Sequence, residues 1–344
     1  MKLSDIGEFG LIERLQRLID QRQQAAPASS TNSGEPQGLL LGIGDDCAVW
    51  RYGDVTQLAT TDTLVQDVHF ILENTSWQDL GWKALAINLS DIAAMGGIPH
   101  SALVTLGLPE TAAVEGIEAL YEGMLDCGQE YSTLLIGGDI VSAPLFFITV
   151  TVVGQASGRI PYPNNVLLRS SGVAGDAIAV TGHLGSSAAG LKLLKAGIHP
   201  PALGFALDAH RRPVPRIGTG QLALEAGVRC GMDVSDGLVG DLEKLCAASG
   251  MAAEVEVARL PVRQELREHF PKEWVDLALT GGEDYELLLT GPAEVLDAVR
   301  ERGDVPISII GRMQPGVPGQ VTVRSEDGTI MKMGRSGWDH LRRG

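Results

Sequence analysis

Six short motifs that place an acidic residue beside glycine, serine or threonine are spread over most of this chain of 344 residues. In sequence order they are GIGDD (42–46), TTDT (60–63), NLSD (88–91), GGD (137–139), DVSDG (233–237) and GGED (281–284). Most lie at the edge of an apolar run, where a fold presents oxygen atoms at strand ends and turns. So many converging carboxylates would repel one another unless cations neutralised them, and hard divalent metals prefer such oxygen ligands. The motifs therefore predict metal-dependent phosphate chemistry.

The lysine-based motifs that bind phosphate are absent. The chain has no G-x-x-x-x-G-K-[ST] sequence, no Gly-Lys dipeptide, no H-R-D loop and no V-A-I-K strand. P-loop and protein-kinase architectures are therefore disfavoured. H-E-x-x-H and G-x-S-x-G are also missing, which argues against common zinc peptidases and hydrolases. A nucleotide here is expected to be held through metal ions, backbone amides and helix N-termini.

Each motif taken singly also has an ordinary structural interpretation. GIGDD and GGD are typical of glycine turns with solvated acids, and TTDT is typical of a strand end with an Asx turn. In DVSDG, we expect Ser235 or Asp236 to cap a following helix, with Asp233 and Asp236 on one side of its start. Capping alone explains one of these acids but not both. The six motifs together are what favour a metal site.

Composition limits the class of protein. Net charge is −16 and the sequence pI is about 4.8, and no Lys/Arg block is present, so we expect no nucleic-acid partner. No apolar run approaches the roughly 20 residues that span a bilayer, and the N-terminus does not resemble a signal peptide. These features predict a cytoplasmic protein without a membrane segment. The cysteines are expected to be buried free thiols, because their spacing matches no metal site, at Cys47, Cys127, Cys230 and Cys246.

The pattern of elements predicts an α/β fold in two domains. Strand-like and helical runs alternate, and the chain length suits two cores. A turn cluster at 161–165 divides the chain into domains 1–160 and 161–344, and the segment 23–37 is expected to be a flexible linker or insertion. A helix at 76–95 would carry Asn88 and Asp91 on a face away from its buried stripe. Strands are predicted at 39–43, 55–60, 67–70, 101–108, 133–136, 145–154, 177–181, 254–257, 285–290 and 307–311.

Considered as a set, the motifs resemble those of the thiamine-monophosphate kinases. That family belongs to a superfamily with aminoimidazole ribonucleotide synthetase, selenophosphate synthetase and the hydrogenase maturation protein that dehydrates carbamoyl groups. The resemblance runs from about residue 5 to about residue 340, with order and spacing in agreement. It is carried by GIGDDCAV, TTDTLVQDVHF, WKALAINLSDIAAMGGIP, LIGGD, LLRSSGVAGDAIAVTG, DVSDGL and GGEDYELLLT. It implies a mixed-sheet N-terminal domain that pairs in a dimer barrel, and a C-terminal α/β domain that completes the site.

The resemblance also implies a reaction and a set of site residues. ATP would phosphorylate thiamine monophosphate to thiamine diphosphate, the last step in making that cofactor, with several Mg²⁺ ions bound. The implied Mg²⁺ ligands are Asp46, Thr60, Thr61, Asp62, Asp91, Asp139, Asp233 and Asp236. The implied ATP contacts are Gly138, Asp139, Arg169 and Ser235, and the implied thiamine-side contacts are His69, Glu283 and Trp338. No general base is expected, because the acceptor is already a phosphate oxyanion.

Alternatives remain open at this point. A selenophosphate synthetase is expected to have an N-terminal reactive cysteine, which residues 1–10 lack, and the hydrogenase maturation protein to end in cysteine, whereas this chain ends LRRG. Aminoimidazole ribonucleotide synthesis is disfavoured only by GGEDYEL. A catalytically silent metal or nucleotide sensor is a further possibility. Taken alone, His69 is typical of a structural histidine, Arg169 of a surface arginine, and Trp338 of an anchor for the C-terminus.

Overall fold

A computed structural model of the protein describes residues 3–24, 38–158 and 161–332. The first half of the chain builds one six-stranded sheet, in the order β1-β2-β3-β6-β4-β5. Neighbouring strands in it are antiparallel except for β4 and β5, which are parallel. The strands are β1 (Leu39–Leu41), β2 (Ala48–Tyr52), β3 (Val55–Val65), β4 (Gly97–Leu108), β5 (Leu134–Ser142) and β6 (Phe147–Ala156). The helices of this half are α1 (Leu3–Gln24), α2 (Trp77–Ala94) and α3 (Val114–Glu130).

The second half builds another six-stranded sheet, in the order β12-β9-β11-β7-β10-β8. Only β12 and β9 are parallel neighbours in it. Its strands are β7 (Ala177–Thr181), β8 (Cys230–Asp233), β9 (Ala252–Glu256), β10 (Leu287–Gly291), β11 (Ile307–Gln314) and β12 (Val321–Arg324). Its helices are α4 (Ser186–Ala196), α5 (Gly204–Arg211), α6 (Ile217–Ala226), α7 (Leu238–Ser249), α8 (Gln264–His269), α9 (Trp274–Thr280) and α10 (Ala293–Arg302).

Helix α2 is the central element of the molecule. The hydroxyl of Ser76 caps it by accepting a hydrogen bond from the amide of Asp79, at 3.1 Å. The chain turns away after it at Gly96, whose φ of 66° lies in the left-handed region. Nearly all of the helix from Leu80 to Ala94 is buried, because α2 packs on the first sheet, on α3, and on α6 and β8 of the second half. Polar residues of α2 such as Lys83, Asn88 and Ser90 are therefore placed inside the protein.

Many of the predicted elements are confirmed. The α/β two-domain class is correct, and helix 76–95 and strand 177–181 match α2 and β7. The strand expected at 67–70 is wrong: these residues form a turn, and Asp67 has a φ of 62°. Strands β2, β8 and β12 and helices α5, α8, α9 and α10 were missed. The four cysteines are buried free thiols, and no helix in the described ranges is long and apolar enough to cross a membrane.

The contact between α2 and α3 depends on glycines. A Cβ added at Gly81 would lie 1.9 Å from the carbonyl oxygen of Leu120, whereas one added at the exposed Gly218 of α6 would meet nothing within 4 Å. We predict that Gly81→Ala destabilises the protein by about 1–3 kcal/mol through overpacking. Gly218→Ala should instead be neutral or stabilise by about 0.5–1 kcal/mol. Urea unfolding of both variants measures the two effects, and equal stability of the two would contradict the packing argument.

Candidate active site

A cavity of about 820 Å³ lies where the two halves of the chain meet. Its walls come from β3 and the loop that follows it, from α2, and from the loops after β8 and before β10. The acidic motifs around residues 45–46, 60–63, 91, 233–236 and 282–283 all line it. Residues almost 240 positions apart in sequence therefore share one site.

Three carboxylates form the centre of this cavity. Asp46, Asp91 and Asp233 each offer one oxygen atom, and these atoms lie within 4.8 Å of one another. Burial, together with the charges of Asp62 and Asp233, raises the pKa of Asp91 well above its ordinary value. Burial and the charge of Asp46 likewise raise the pKa of Asp233. Such a cluster is electrostatically unfavourable alone, and it has the hard oxygen donors that Mg²⁺ prefers.

Hydroxyl groups orient two of the three carboxylates. Thr60 donates a hydrogen bond of 2.5 Å to Asp91, and Ser90 donates one of 2.6 Å to Asp233. Because side chains alternate along a strand, Thr60 faces α2 while Thr61 points to the other side of β3. There the Thr61 hydroxyl donates to the carbonyl oxygen of Val150, at 3.2 Å. The structure thus gives these two predicted ligands different surroundings, although both line the cavity.

Arg169 is held by both acids of the first motif. Its guanidinium donates to Asp46, and its Nε lies 3.8 Å from Asp45. The backbone amide of Arg169 also donates to Asp45, at 3.1 Å. Burial and the charge of Asp46 raise the pKa of Asp45 to about 7. Asp45 therefore fixes the arginine backbone, and the arginine places a cation beside the carboxylate cluster.

The loop after β8 differs from the sequence prediction. Helix α7 begins after Gly237, so neither Ser235 nor Asp236 is its N-cap. The amides of Ser235, Asp236 and Gly237 all donate to one oxygen of the buried Asp241, at 3.0–3.1 Å. A carboxylate of the protein thus occupies these three amides, which could otherwise bind an external anion. Lys244 bridges Asp236 and Asp241, at 2.6 and 2.8 Å.

Glu283 is the acidic group of the last motif that faces the cavity. Its Oε1 lies 2.9 Å from the ammonium of Lys83, and its Oε2 lies 3.3 Å from Nδ1 of His210. Burial alone would raise the pKa of Glu283, but the charge and the hydrogen bond of Lys83 act against it, so this pKa is lowered. Nearby, Nδ1 of His69 accepts a hydrogen bond from the amide of Val65, at 3.0 Å, which leaves Nε2 to carry the proton of the neutral ring.

Only some of the remaining predicted site residues line the cavity. Asp62, Ser235 and Asp236 line the cavity, whereas Gly138 and Asp139 do not. Residue Asp139 lies on β5 and pairs through β4 and β6 with Thr63, so three strand spacings, roughly 14 Å, separate them. Gly138 is needed inside the sheet, since an added Cβ would lie 1.7 Å from the carbonyl oxygen of Val104. Trp338 lies outside the described residues.

Sequence reasoning missed several residues of the site. Asp45 belongs to a motif that was identified, but only its neighbour was assigned a role. Asp241 lies four residues after Gly237, and this spacing was a usable signal for a carboxylate that folds back on the loop. No local sequence pattern indicates Lys83 or His210. Their partner, Glu283, lies about 200 residues from Lys83 and about 70 residues from His210. The expectation for Asn88, on a helix face away from the buried stripe, was wrong. Asn88 does not line the cavity: it is fully buried and donates to the carbonyl oxygen of Ala84, at 3.0 Å.

Two family models cover most of the chain. Residues 44–156 match the AIR synthase related protein, N-terminal domain, and residues 173–324 match the AIR synthase related protein, C-terminal domain. The hydrogenase maturation protein HypE of Escherichia coli shares the fold, with a TM-score of 0.67 at 20% identity over 95% of this chain and 99% of that one. The chain is therefore a two-domain protein of the AIR synthase related class.

Relatives with higher sequence identity show which family within this class the chain belongs to. The thiamine-monophosphate kinase of Bacillus subtilis (strain 168) is 38% identical over 312 residues, 88% of this chain and 94% of that protein. The Escherichia coli (strain K12) enzyme of the same name is 38% identical, over 88% and 92%. The structure of AaThiL complexed with AMPPCP and TMP matches with a TM-score of 0.82 at 33% identity, over 99% of both chains. The chain belongs to the thiamine-monophosphate kinase family, which confirms the resemblance drawn from the motifs.

The carboxylate cluster makes a prediction about stability. Asp91→Asn keeps the shape of the side chain but removes one of the three carboxylates whose oxygen atoms lie within 4.8 Å of one another. In the presence of a chelator, we expect the unfolding temperature to rise by a few degrees, because repulsion decreases. Added Mg²⁺ should raise that temperature less than in the unsubstituted protein, because ligand binding stabilises the folded state.

Thermal unfolding with chelator and with Mg²⁺ measures both effects. Asp54→Asn is a matched control, because Asp54 is exposed in the turn between β2 and β3 and does not line the cavity. An Asp91→Asn variant that is destabilised in chelator and fully stabilised by Mg²⁺ would show that the cluster is not a cation site.

Proposed function

We propose that this chain transfers the γ-phosphoryl group of ATP to the phosphate of thiamine monophosphate, with Mg²⁺ as the required cation. The observation that supports this most is one cavity that combines two kinds of site. Asp46, Asp91 and Asp233 form a carboxylate cluster with Arg169 beside it, and Glu283 faces the same cavity. Charged phosphates and a flat organic cation would both find complementary groups there.

The side chains fit a site for several Mg²⁺ ions. Asp46, Asp91 and Asp233 would hold metal directly, and Asp62 and Asp236 add carboxylates to the same walls. Thr60 would supply a hydroxyl, and Thr61 and Asp139 belong to the proposed set on the resemblance alone. When bound, the ions would neutralise the phosphates and polarise the bond to the transferred group.

Side chains of the protein would position ATP and the acceptor. Arg169 is held by Asp45 and Asp46 so that its fixed cation can contact the polyphosphate of ATP, and the Ser235 loop is fixed by Asp241 next to it. We assign Gly138, Asp139, Arg169 and Ser235 to ATP. No side chain needs to remove a proton, since the acceptor phosphate is an oxyanion near neutral pH. In-line alignment of two anions is therefore the main catalytic demand.

The thiamine portion is proposed to lie against Glu283 and His69. The thiazolium ring is cationic, and Glu283 is an ionised carboxylate on the cavity wall. His69 presents its Nε2 side, because Nδ1 is occupied by the amide of Val65. Trp338 completes this set as a proposal from the sequence, with an aromatic face suited to stacking on a heterocycle.

Removing a metal-binding charge should remove catalysis without unfolding the chain. We predict that Asp62→Asn lowers turnover by about 100-fold or more, because phosphoryl transfer depends on the charge that holds the cation. The measurement is thiamine diphosphate formed from ATP, Mg²⁺ and thiamine monophosphate, with thermal unfolding to verify the fold. Asp139→Asn is expected to act in the same direction.

The outcomes separate the rival functions. ADP formed without thiamine diphosphate would contradict the proposed acceptor. Metal-dependent binding of nucleotide without any turnover would favour a sensor. An Asp62→Asn variant that keeps near-normal activity at limiting Mg²⁺ would remove that residue from the ligand set.

We also propose that the chain acts as a homodimer through its first sheet. Strand β5 is an edge strand and exposes a row of apolar side chains, including Leu134 (69% exposed), Ile136 (61%) and Ile140 (63%). Among the described residues no strand pairs with the outer edge of β5, and an edge with such a surface is a liability unless another chain covers it. Because Gly138 and Asp139 lie on this strand, assembly would bury the segment that we assign to ATP.

Dimerisation predicts a specific effect of charge on β5. Ile136→Lys should shift the protein towards monomers, because a lysine would have to be desolvated between two copies. Val317→Lys places the same charge at an equally exposed position, 66%, on the loop between β11 and β12 and should change nothing. Light scattering at micromolar concentration measures both, and a monomeric unsubstituted protein would contradict the proposal.

A further inference from the structure

A buried cation lies directly behind the carboxylate of Glu283. Lys83 projects from α2, and its side chain is only 3% exposed, while that of Glu283 is 24% exposed. The ammonium approaches Glu283 Oε1 to 2.9 Å, yet Lys83 does not line the cavity that Glu283 faces. The lysine can therefore act on a bound molecule only through the glutamate.

The second oxygen of Glu283 lies beside a neutral group. Nδ1 of His210 lies 3.3 Å from Glu283 Oε2 and 3.0 Å from the hydroxyl of Ser187. Burial and the nearby charge of Lys83 lower the pKa of His210 to about 3, so the ring is uncharged at neutral pH. The charge of Glu283 is thus balanced from within the protein by Lys83, while the uncharged ring of His210 lies against its second oxygen.

The backbone of this segment is also constrained. Glu283 and Tyr285 both have positive φ values, 66° and 50°, which side chains larger than glycine rarely adopt. Their amides donate to the carbonyl oxygens of Ser235 and Val234, at 2.7 and 2.9 Å. The strained backbone and the ion pair together leave Glu283 little freedom, which is typical of a preorganised binding group.

We infer that Lys83 is a positioning residue that fixes Glu283 as a carboxylate acceptor for the thiamine portion of the substrate. This inference rests on the proposed function for the identity of that ligand. It adds a role for a residue of the N-terminal half in a contact made by the C-terminal half. It also predicts that Lys83 affects the binding of thiamine monophosphate and does not affect the binding of the nucleotide.

Lys83→Met tests the inference, because methionine fills similar space without the charge. Calorimetry on the full chain should show affinity for thiamine monophosphate reduced about tenfold or more, since a charge-assisted hydrogen bond is lost behind the carboxylate. Affinity for AMPPCP with Mg²⁺ should change by less than about twofold. In turnover assays, KM for thiamine monophosphate should rise while KM for ATP stays constant.

A pH profile distinguishes positioning from a merely structural role. The charged or titratable groups around Glu283 are Lys83, His210 and His69. Burial raises the pKa of Glu283, and the permanent cation among these groups, Lys83, lowers it. Without Lys83, burial should prevail, so Glu283 should take up a proton at higher pH. The acidic limb of kcat/KM for thiamine monophosphate should therefore move to higher pH in Lys83→Met, relative to the unsubstituted protein measured beside it.

Lys192→Met is the matched control, since Lys192 pairs with Glu273 on the surface, where both side chains are about half exposed. It should alter neither affinity nor the pH profile. Should Lys83→Met not fold, the double variant Lys83→Met with Glu283→Gln removes both charges together. We expect it to be more stable than Glu283→Gln alone, because that single variant leaves a buried lysine unpaired.

The possible results are distinct. Equal loss of affinity for both ligands, or an unchanged affinity for thiamine monophosphate with an unchanged acidic limb, would overturn the inference. Thiamine monophosphate bound by the unsubstituted protein without turnover would contradict the proposed reaction, while the effect of Lys83 on binding could still be confirmed. A protein that does not bind thiamine monophosphate at all would overturn both.

Discussion

Repulsion between like charges at close range is the constraint on which the rest of this structure depends. Asp46, Asp91 and Asp233 would separate if their backbones were free to move, and the fold prevents this. Helix α2 is buried on nearly all sides, so Asp91 cannot swing away from the cavity. The other two carboxylates come from segments on different sheets, and hydrogen bonds to Arg169 and Ser90 hold their side chains. The architecture stores an unfavourable arrangement that a cation can relieve.

The sequence was informative where local patterning determines structure. The buried stripe of α2 depends on side chains within a few residues of one another, so the helix at 76–95 could be predicted. The turn at Asp67 was misread because the apolar residues around it also suit a strand, and its left-handed backbone has no local signature. Helix α5 was missed because the histidine and prolines around it resemble a loop.

Part of the site could also be predicted, but from motifs and not from the local patterns that predict helices and strands. Motifs reveal which residue types recur, so most of the cavity's acids could be named before their positions were known. Motifs do not reveal which way a side chain points, and the alternation along β3 gives Thr60 and Thr61 different partners. Nor do they reveal pairs joined only by the fold: Lys83 and Glu283 are 200 positions apart, and the lysine lies within an apolar helical pattern.

The backbone of residues 283–285 is bonded to that of residues 234–235, and this limits which mutations can reshape the site. The carboxylate that we assign to the vitamin and the loop that we assign to metal and nucleotide are joined by two main-chain hydrogen bonds. Gly282 has no room for a side chain, since an added Cβ would lie 2.6 Å from the carbonyl oxygen of Ser235. The spacing between the two ligands is therefore fixed by peptide geometry. Adapting the cavity to an acceptor of different length requires an insertion or deletion, whereas a point substitution can only alter what each end recognises.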